Sequence, residues 1–260
     1  MKISHFITML VSTSLLGAVA LPVWAGDSGT FSLTTGFDYS SGKYGGTTAT
    51  DITSVPVIAK YQVDRWVLKL TVPYITITGP GGVVPNIGQT QTITTTQRTT
   101  ESGLGDIVAG ASYNLLNGSS GMPVIDLTGK VKIGTADAAK GLGTGENDYT
   151  AQVDMYKGFG DFTALGTVGY RAYGDTSTTT LDNVFFGSVG GVYKLTPNTS
   201  TGLIYDYRPA ITARGSSMSE MMAFVSQKIT HNWKAQGYLV KGFSNGSPDY
   251  GVGALASYVF

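Results

Sequence analysis

The sequence predicts an all-β chain folded as a transmembrane antiparallel β-barrel of about twelve strands, and three observations carry that prediction. Polar and apolar residues alternate with period two in segment after segment, the mark of a strand with two unlike faces, while helical periodicity is nearly absent. The connections between these segments alternate long and short. Charged residues make up 13% of the chain, against about 25% in soluble domains, while Gly counts 36 and Tyr 15. A chain so poor in charge suits strands that meet lipid on one face and a polar interior on the other.

The amino terminus, MKISHFITMLVSTSLLGAVALPVWAG, has a basic residue at Lys2, an apolar core from Ile3 to Leu21 and small residues at Val23 and Ala25. This is the pattern of an export signal peptide over residues 1–25, with 26–260 forming the barrel domain. A membrane anchor is the alternative, but Ser12, Thr13, Ser14 and Pro22 interrupt the ~20 apolar residues that a spanning helix needs. No comparable apolar stretch follows. The chain has no cysteine, which excludes disulfides and thiolate metal sites, and its net charge of +0 argues against a nucleic-acid surface.

The strands follow in order. FSLTTGFDY places Phe31, Leu33, Thr35, Phe37 and Tyr39 on one face; the segment 52–63 does the same for Val55, Val57, Ala59, Tyr61 and Val63. WVLKLTVPYITIT groups Trp66, Leu68, Leu70, Val72 and Tyr74, although Pro73 would remove a ladder hydrogen bond. LGDIVAGASYNLL sets Ile107, Ala109, Ala111, Tyr113 and Leu115 against Asp106, Ser112 and Asn114. PVIDLTGKVKI is the cleanest two-faced segment, with Ile125, Leu127, Val131 and Ile133 opposite Asp126, Thr128, Lys130 and Lys132. YTAQVDMYK, FTALGTVGYRAYG, NVFFGSVGGVYKL and TGLIYDYR continue the series; SMSEMMAFVSQKI is the poorest, with methionines on both faces. WKAQGYLVKGF and YGVGALASYVF complete an even number of strands, as closed bacterial barrels have.

The long connections are 40–51, 79–103, 134–148, 175–182, 209–216 and 244–249. The tight ones lie around Asp64-Arg65, Asn117-Gly118, Gly158-Phe159-Gly160, Thr196-Pro197-Asn198 and His231-Asn232. Outer-membrane barrels have short periplasmic turns and long external loops, so both chain ends are expected in the periplasm. A secreted β-sandwich could offer as many strands; it does not predict this alternation. An unpaired strand edge in hydrocarbon leaves backbone groups that each cost several kcal/mol. The last strand is therefore expected to pair with the first. Its outer face would carry Tyr250, Val252, Ala254, Ala256, Tyr258 and Phe260, and its glycine-rich face would leave room inside.

The ending, with Tyr258 and Phe260 on one face, resembles the signal by which outer-membrane proteins are recognised for assembly. It implies the barrel assembly machinery and outer-membrane lipid as partners. Further patches are Gly103-Leu104-Gly105-Asp106, Ser112-Tyr113-Asn114-Leu115, Lys130 to Gly134, Gly141 to Gly145 before Asp148-Tyr149, and Val168-Gly169-Tyr170. Through these the chain resembles the family of outer-membrane transporters named for meta-cleavage phenol degradation. The resemblance implies a cell outer membrane location and passage of aromatic or other hydrophobic compounds.

Catalytic readings find little support in the residues. Beyond the leader the one histidine is His231, in a tight turn, with no serine placed to use it as a base. A zinc site is not expected. The oxygen ligands Asp137, Glu146, Asn147 and Asp148 lack the spacing of a calcium loop, and GLGTG lacks the lysine and helix of a phosphate loop. No enzyme activity, metal or cofactor is expected. Function falls instead to the lumen, where the inward face would carry Asp106, Asn114, Asp126, Lys130, Lys132, Asp154, Arg171, Asp206 and Arg208, with Gln152, Lys234 and Gln236. Both signs occur, and pairing across the barrel is expected. The reading is an outer-membrane channel for passive passage of small solutes, hydrophobic or aromatic ones among the candidates, with residues 79–103 as plug or gate. A structural or surface-binding barrel that transports nothing is the alternative.

Overall fold

Period-two segments become strands because each can bury one face and expose the other. The computed structural model of the chain describes residues 29–89, 96–118, 121–176, 180–213 and 215–260; the expected leader, 1–25, lies outside the described residues. The strands are β1 (Thr30–Gly42), β2 (Thr50–Val63), β3 (Trp66–Gly79), β4 (Val83–Val84), β5 (Gly88–Gln89), β6 (Thr99–Leu104), β7 (Ile107–Asn117), β8 (Val124–Ile133), β9 (Asp148–Phe159), β10 (Phe162–Ala172), β11 (Val184–Lys194), β12 (Thr199–Arg208), β13 (Met218–Lys228), β14 (Trp233–Gly242) and β15 (Tyr250–Val259). All pairings are antiparallel: β1 to β3 pair in succession, as do β7 to β15, β3 pairs with both β6 and β7, and β15 pairs with β1 through ten residues, from Ser32↔Val259 to Ser41↔Tyr250. The sheet therefore closes on itself. Since β6 and β7 succeed one another along the same edge of β3, they count as one wall strand, and the wall is a twelve-strand closed antiparallel barrel. β4 and β5 form a separate two-stranded piece in the long connection after β3.

The division between β6 and β7 follows from proline chemistry. Pro56 and Pro73 face each other across β2 and β3, and each lacks the N–H its other neighbour would use. On one side the β1–β2 ladder skips Gly36 and Phe37, opposite Pro56 and Val55. On the other the partner of β3 shifts by one residue at Gly105-Asp106, a bulge in which Gly105 N–H donates to Pro73 O at 2.8 Å. The strand expected over 104–116 is thus β7 alone, preceded by β6, most of which falls in the stretch 79–103 expected as a connection, with Asp106 in the bulge between them.

Along β9, Asp148, Thr150, Gln152, Asp154 and Tyr156 are buried while Tyr149, Ala151, Val153 and Met155 are exposed. The same parity holds around the ring, and the outward face is apolar: Leu68, Leu127, Val168, Phe185, Val189, Leu203 and Leu239 are all exposed. β13 obeys it too, with Met218 and Phe224 buried and Met221 and Val225 exposed. Methionine is pliable enough to serve either environment. At the short-turn end, outward aromatic rings meet in pairs: Trp66 with Tyr113 at 4.9 Å, Trp233 with Tyr258 at 5.1 Å, and Phe260 with both Tyr258 (4.9 Å) and Phe31 (5.4 Å). Tyr170–Phe185 and Tyr39–Tyr250 pairs stand at the long-loop end, at 4.9 and 6.2 Å.

The interior is less polar than the sequence predicts. Tyr156, Leu165, Ile204, Phe224, Tyr238, Val240 and Leu255 pack into one apolar cluster lining the β9–β15 side. Glycines opposite inward rings make this packing possible. Phe186, Phe224 and Tyr238 sit in register with Gly169, Gly202 and Gly253 on adjacent strands, and a Cβ at any of the three glycines would overlap the ring. Tyr238 lies across Gly253 to donate its hydroxyl to Asp38 Oδ2 on β1 at 2.6 Å. That bond ties β14, β15 and β1 together at the closing seam.

Candidate functional site

Long connections leave from one end of the barrel, and several of them bury side chains inward. The tip of the connection 80–98 enters the lumen, where Ile87 packs with Tyr173, Leu181, Val184 and Ile211. Arg208, 1% exposed, clasps this tip from β12. Its Nη1 donates to Asn86 O (2.9 Å) and to the Tyr173 hydroxyl (2.8 Å), and its Nη2 to Ile87 O (3.2 Å). The fixed guanidinium fork suits two successive carbonyls. Asn86 takes a left-handed backbone conformation, φ 64°, which turns the tip back toward the wall. On the outside, Arg98 from the same connection pairs with Asp51.

The connection 134–147 is pinned by a second set of contacts. Lys132 Nζ lies 3.0 Å from Asp106 Oδ2 and 3.2 Å from Asp148 Oδ2, and donates to Thr144 Oγ1 at 2.7 Å. Asp106 Oδ1 accepts from Ala136 N–H at 3.0 Å. Leu142 then buries itself among Ile52, Ile75, Ile77 and Ala136. Gly143 has to be small, since a Cβ there would stand 2.6 Å from Asp106 Oδ2. The Gly103–Asp106 and Gly141–Gly145 patches are two halves of one joint. These ion pairs join neighbouring strands, so the pairing expected across the barrel is local here.

Below the tip lies a cavity of about 230 Å³. Its floor and walls can be read from the strand register. Lys60 pairs with Lys69, Lys69 with Gly110, Gly110 with Lys130, Lys130 with Thr150 and Thr150 with Arg171. This is a basic row running across β2 to β10. Two inward positions nearer the short turns on β8, a second row runs Asn114, Asp126, Asp154, Thr167, Ser188, Asp206, Glu220 across β7 to β13. Because barrel strands tilt by about 35–45°, each row climbs as it goes round. Ser112, Thr128 and Gln152 form the neutral row between them.

Much of the acidic row is hydrogen-bonded. Asn114 Nδ2 donates to Asp126 Oδ1 (2.6 Å), and Asp154 accepts from Thr128 (3.0 Å), Thr167 (2.7 Å) and Gln152 (2.7 and 2.8 Å). Asp206 differs: its Oδ1 is buried without a hydrogen-bond partner. In the basic row, Arg171 Nε donates to Thr150 (3.2 Å) and its guanidinium lies 5.5 Å from the Tyr173 ring centroid. Among the described residues Lys69 makes no hydrogen bond or ion pair. Tyr44, from the connection 43–49, reaches the same cavity, and burial raises its phenol above the ordinary value.

Of the residues predicted to face inward, Lys130, Lys132, Arg171, Asp106 and Asp206 line the cavity. Asp126, Asp154 and Asn114 lie along the row toward the short turns, Gln236 is buried on β14 beside the half-buried Lys234, and Arg208 holds the tip. Tyr258 and Phe260 lie outside, in the aromatic group at the short-turn end. His231 is exposed in its turn, and Asp137 caps the 3-10 turn Ala138–Lys140. Sequence reasoning did not single out Asp38, Lys60, Lys69, Glu220 or Tyr238. All five sit at inward parity on segments already read as strands, so counting from Phe31, Val55, Trp66, Met218 or Trp233 would have found them.

No family model matches the chain, and no curated protein matches it. Among solved structures, the chain is similar to the COG4313 outer membrane channel from Pseudomonas putida F1, with 16% identity over 91% of this chain and 97% of that one, at a TM-score of 0.67. It is also similar to the KdgM porin, with 11% identity over 88% of this chain and 99% of that one, at 0.55. The shared feature at this identity is the barrel fold itself.

Proposed function

We propose that this barrel lies in the cell outer membrane, with the long loops external, and passes small solutes by diffusion. The carrying observation is the filled but not sealed interior: a closed wall surrounds a 230 Å³ cavity, capped by a loop tip that a single arginine clasps. Twelve strands make a barrel slightly wider than the eight-stranded kind that side chains just fill, and the loop takes up part of the difference. Two of the structures it resembles are described as an outer membrane channel and a porin, which supports the reading. Release of the tip would join the cavity to the outside without energy coupling or any covalent step, and the barrel would act as a channel and not as an enzyme. The outer-membrane lipid and the barrel assembly machinery are the partners this location requires. The patches resembling the phenol-degradation family favour aromatic compounds among the solutes.

Single-channel recording with the purified, refolded barrel tests this, together with proteoliposome swelling in neutral sugars and aromatic solutes. Step conductances that rise in size or frequency when the tip is released by Arg208→Ala are expected. A barrel of verified fold that neither conducts nor admits any solute, with or without that substitution, would overturn the channel in favour of a surface-binding role.

A further inference from the structure

The cavity carries opposite charges on opposite walls. From β3, which bears Lys69, the route through β2, β1, β15, β14 and β13 reaches β12 at the sixth step; so does the route through β6/β7, β8, β9, β10 and β11. Lys69 and Asp206 therefore stand diametrically across the ring. Both line the cavity. Lys69 is joined on its side by Lys130 of the same register row, a row that Arg171 on β10 carries on round the ring toward β12. Asp206 is joined by Glu220, its direct partner on β13, while Asp38, hydrogen-bonded by Tyr238, lines the cavity from β1 between the two walls. Among the described residues neither the half-buried Lys69 nor the buried Asp206 Oδ1 has a hydrogen-bond or ion-pair partner, although charges taken out of water are normally paired. Between the two walls Ile52, Ile75, Met222 and Val240 supply apolar lining, with Ser40 and Ser54 among them.

A singly charged molecule held here would satisfy one wall and face like charge on the other. An uncharged one would leave Asp206 Oδ1 without a partner and would displace water from Lys69 with nothing to replace it. Resting on the channel reading, we propose that the solute this cavity takes is a zwitterion: a small organic molecule with an anionic group at one end, a cationic group at the other and an apolar body between. Its anionic end lies against Lys69 and Lys130, its cationic end against Asp206 and Glu220, and its body spans the isoleucine and methionine side chains. The two ramps of charge extend this selection along the wall, since the basic row and the acidic row climb side by side with one neutral row between them.

Calorimetric titration of the detergent-solubilised, full-length barrel tests the ligand class without requiring passage. Three probes of similar size share an aromatic body: 4-(aminomethyl)benzoate as zwitterion, 4-methylbenzoate as anion and benzyltrimethylammonium as cation. The zwitterion is expected to bind about tenfold more tightly than either, the worth of one charge-assisted hydrogen bond. Lys69→Met should bring it down to the level of the cation, and Asp206→Asn to that of the anion. Retained resistance to unfolding in cold detergent shows that each variant is folded. Equal affinity for all three probes, or a preference that neither substitution changes, overturns the proposal even where the barrel conducts. Zwitterion preference in a barrel that never conducts would keep the ligand class and overturn only the passage.

Discussion

At the long-loop end, Ile87 and Val84 reach into the lumen and pack with Tyr173, Leu181, Val184 and Ile211. At the short-turn end, Phe31, Trp233, Tyr258 and Phe260 gather on the outside of the wall, with Phe260 69% exposed. Both groups are apolar and sit at strand ends, yet they face opposite ways. Connection length explains the difference. A connection spanning 80–98 has enough chain to turn back through the mouth and bury its own side chains, with backbone carbonyls satisfied by Arg208. A turn of two residues such as Asp64-Arg65 can only join its strands. Aromatic residues beside it stay on the wall, where rings that are apolar in body and polar at the edge suit a membrane interface. One end is thus a small internal core and the other an external girdle.

Substitutions at the two ends should separate these roles. The largest effect is expected from Arg208→Ala, which removes three hydrogen bonds and leaves the Asn86 carbonyl and the buried Ile87 carbonyl without their donor; unfolding stability in urea should fall by about 3 kcal/mol and single-channel openings should become more frequent. Unchanged openings would show that the clasp does not hold the plug. Ile87→Ser should follow at about 2 kcal/mol, from lost burial and an added hydroxyl, with openings shifted the same way by a smaller amount. At the other end, Phe260→Glu should cost about 1–2 kcal/mol through lost ring contacts and a charge near the interface. Its signature differs in kind: several-fold less folded barrel in the outer membrane, with unaltered conductance per assembled molecule. Normal folded abundance would count against Phe260 as part of an assembly signal. The smallest effect, below about 1 kcal/mol, is expected for Tyr39→Phe at the outer rim. Its hydroxyl donates to Asp51 Oδ1 at 3.0 Å, where water can replace it, and melting temperature is the measurement.

Parity made much of this legible in advance. Every charged residue placed inward by counting, from Asp106 to Arg208, lies on the inward face or at the inner rim, because a strand has only two faces and the apolar one is turned outward. The closing of β15 on β1 was legible for a related reason, since an open edge in hydrocarbon leaves backbone groups unsatisfied. Less could be read at Pro73. A proline in a wall strand counted against the strand, and only the opposing Pro56 and the bulge at Gly105-Asp106 show how the ladder accommodates it.

What the amino-acid sequence determined by itself is the number of strands, their two faces and the long-short alternation of their connections, all properties of nearest neighbours along the chain. Tertiary structure decided what fills the ring. Whether Ile204, Phe224 and Leu255 would form an apolar inner wall, whether 80–98 would fold in, and which charges would find partners depend on register between strands far apart in sequence. Lys60, Lys69, Lys130 and Arg171 come into one row through five successive strand pairings. Lys69 meets Asp206 across the lumen only because the sheet closes. Period two fixes the face a side chain takes, and barrel closure fixes what stands opposite.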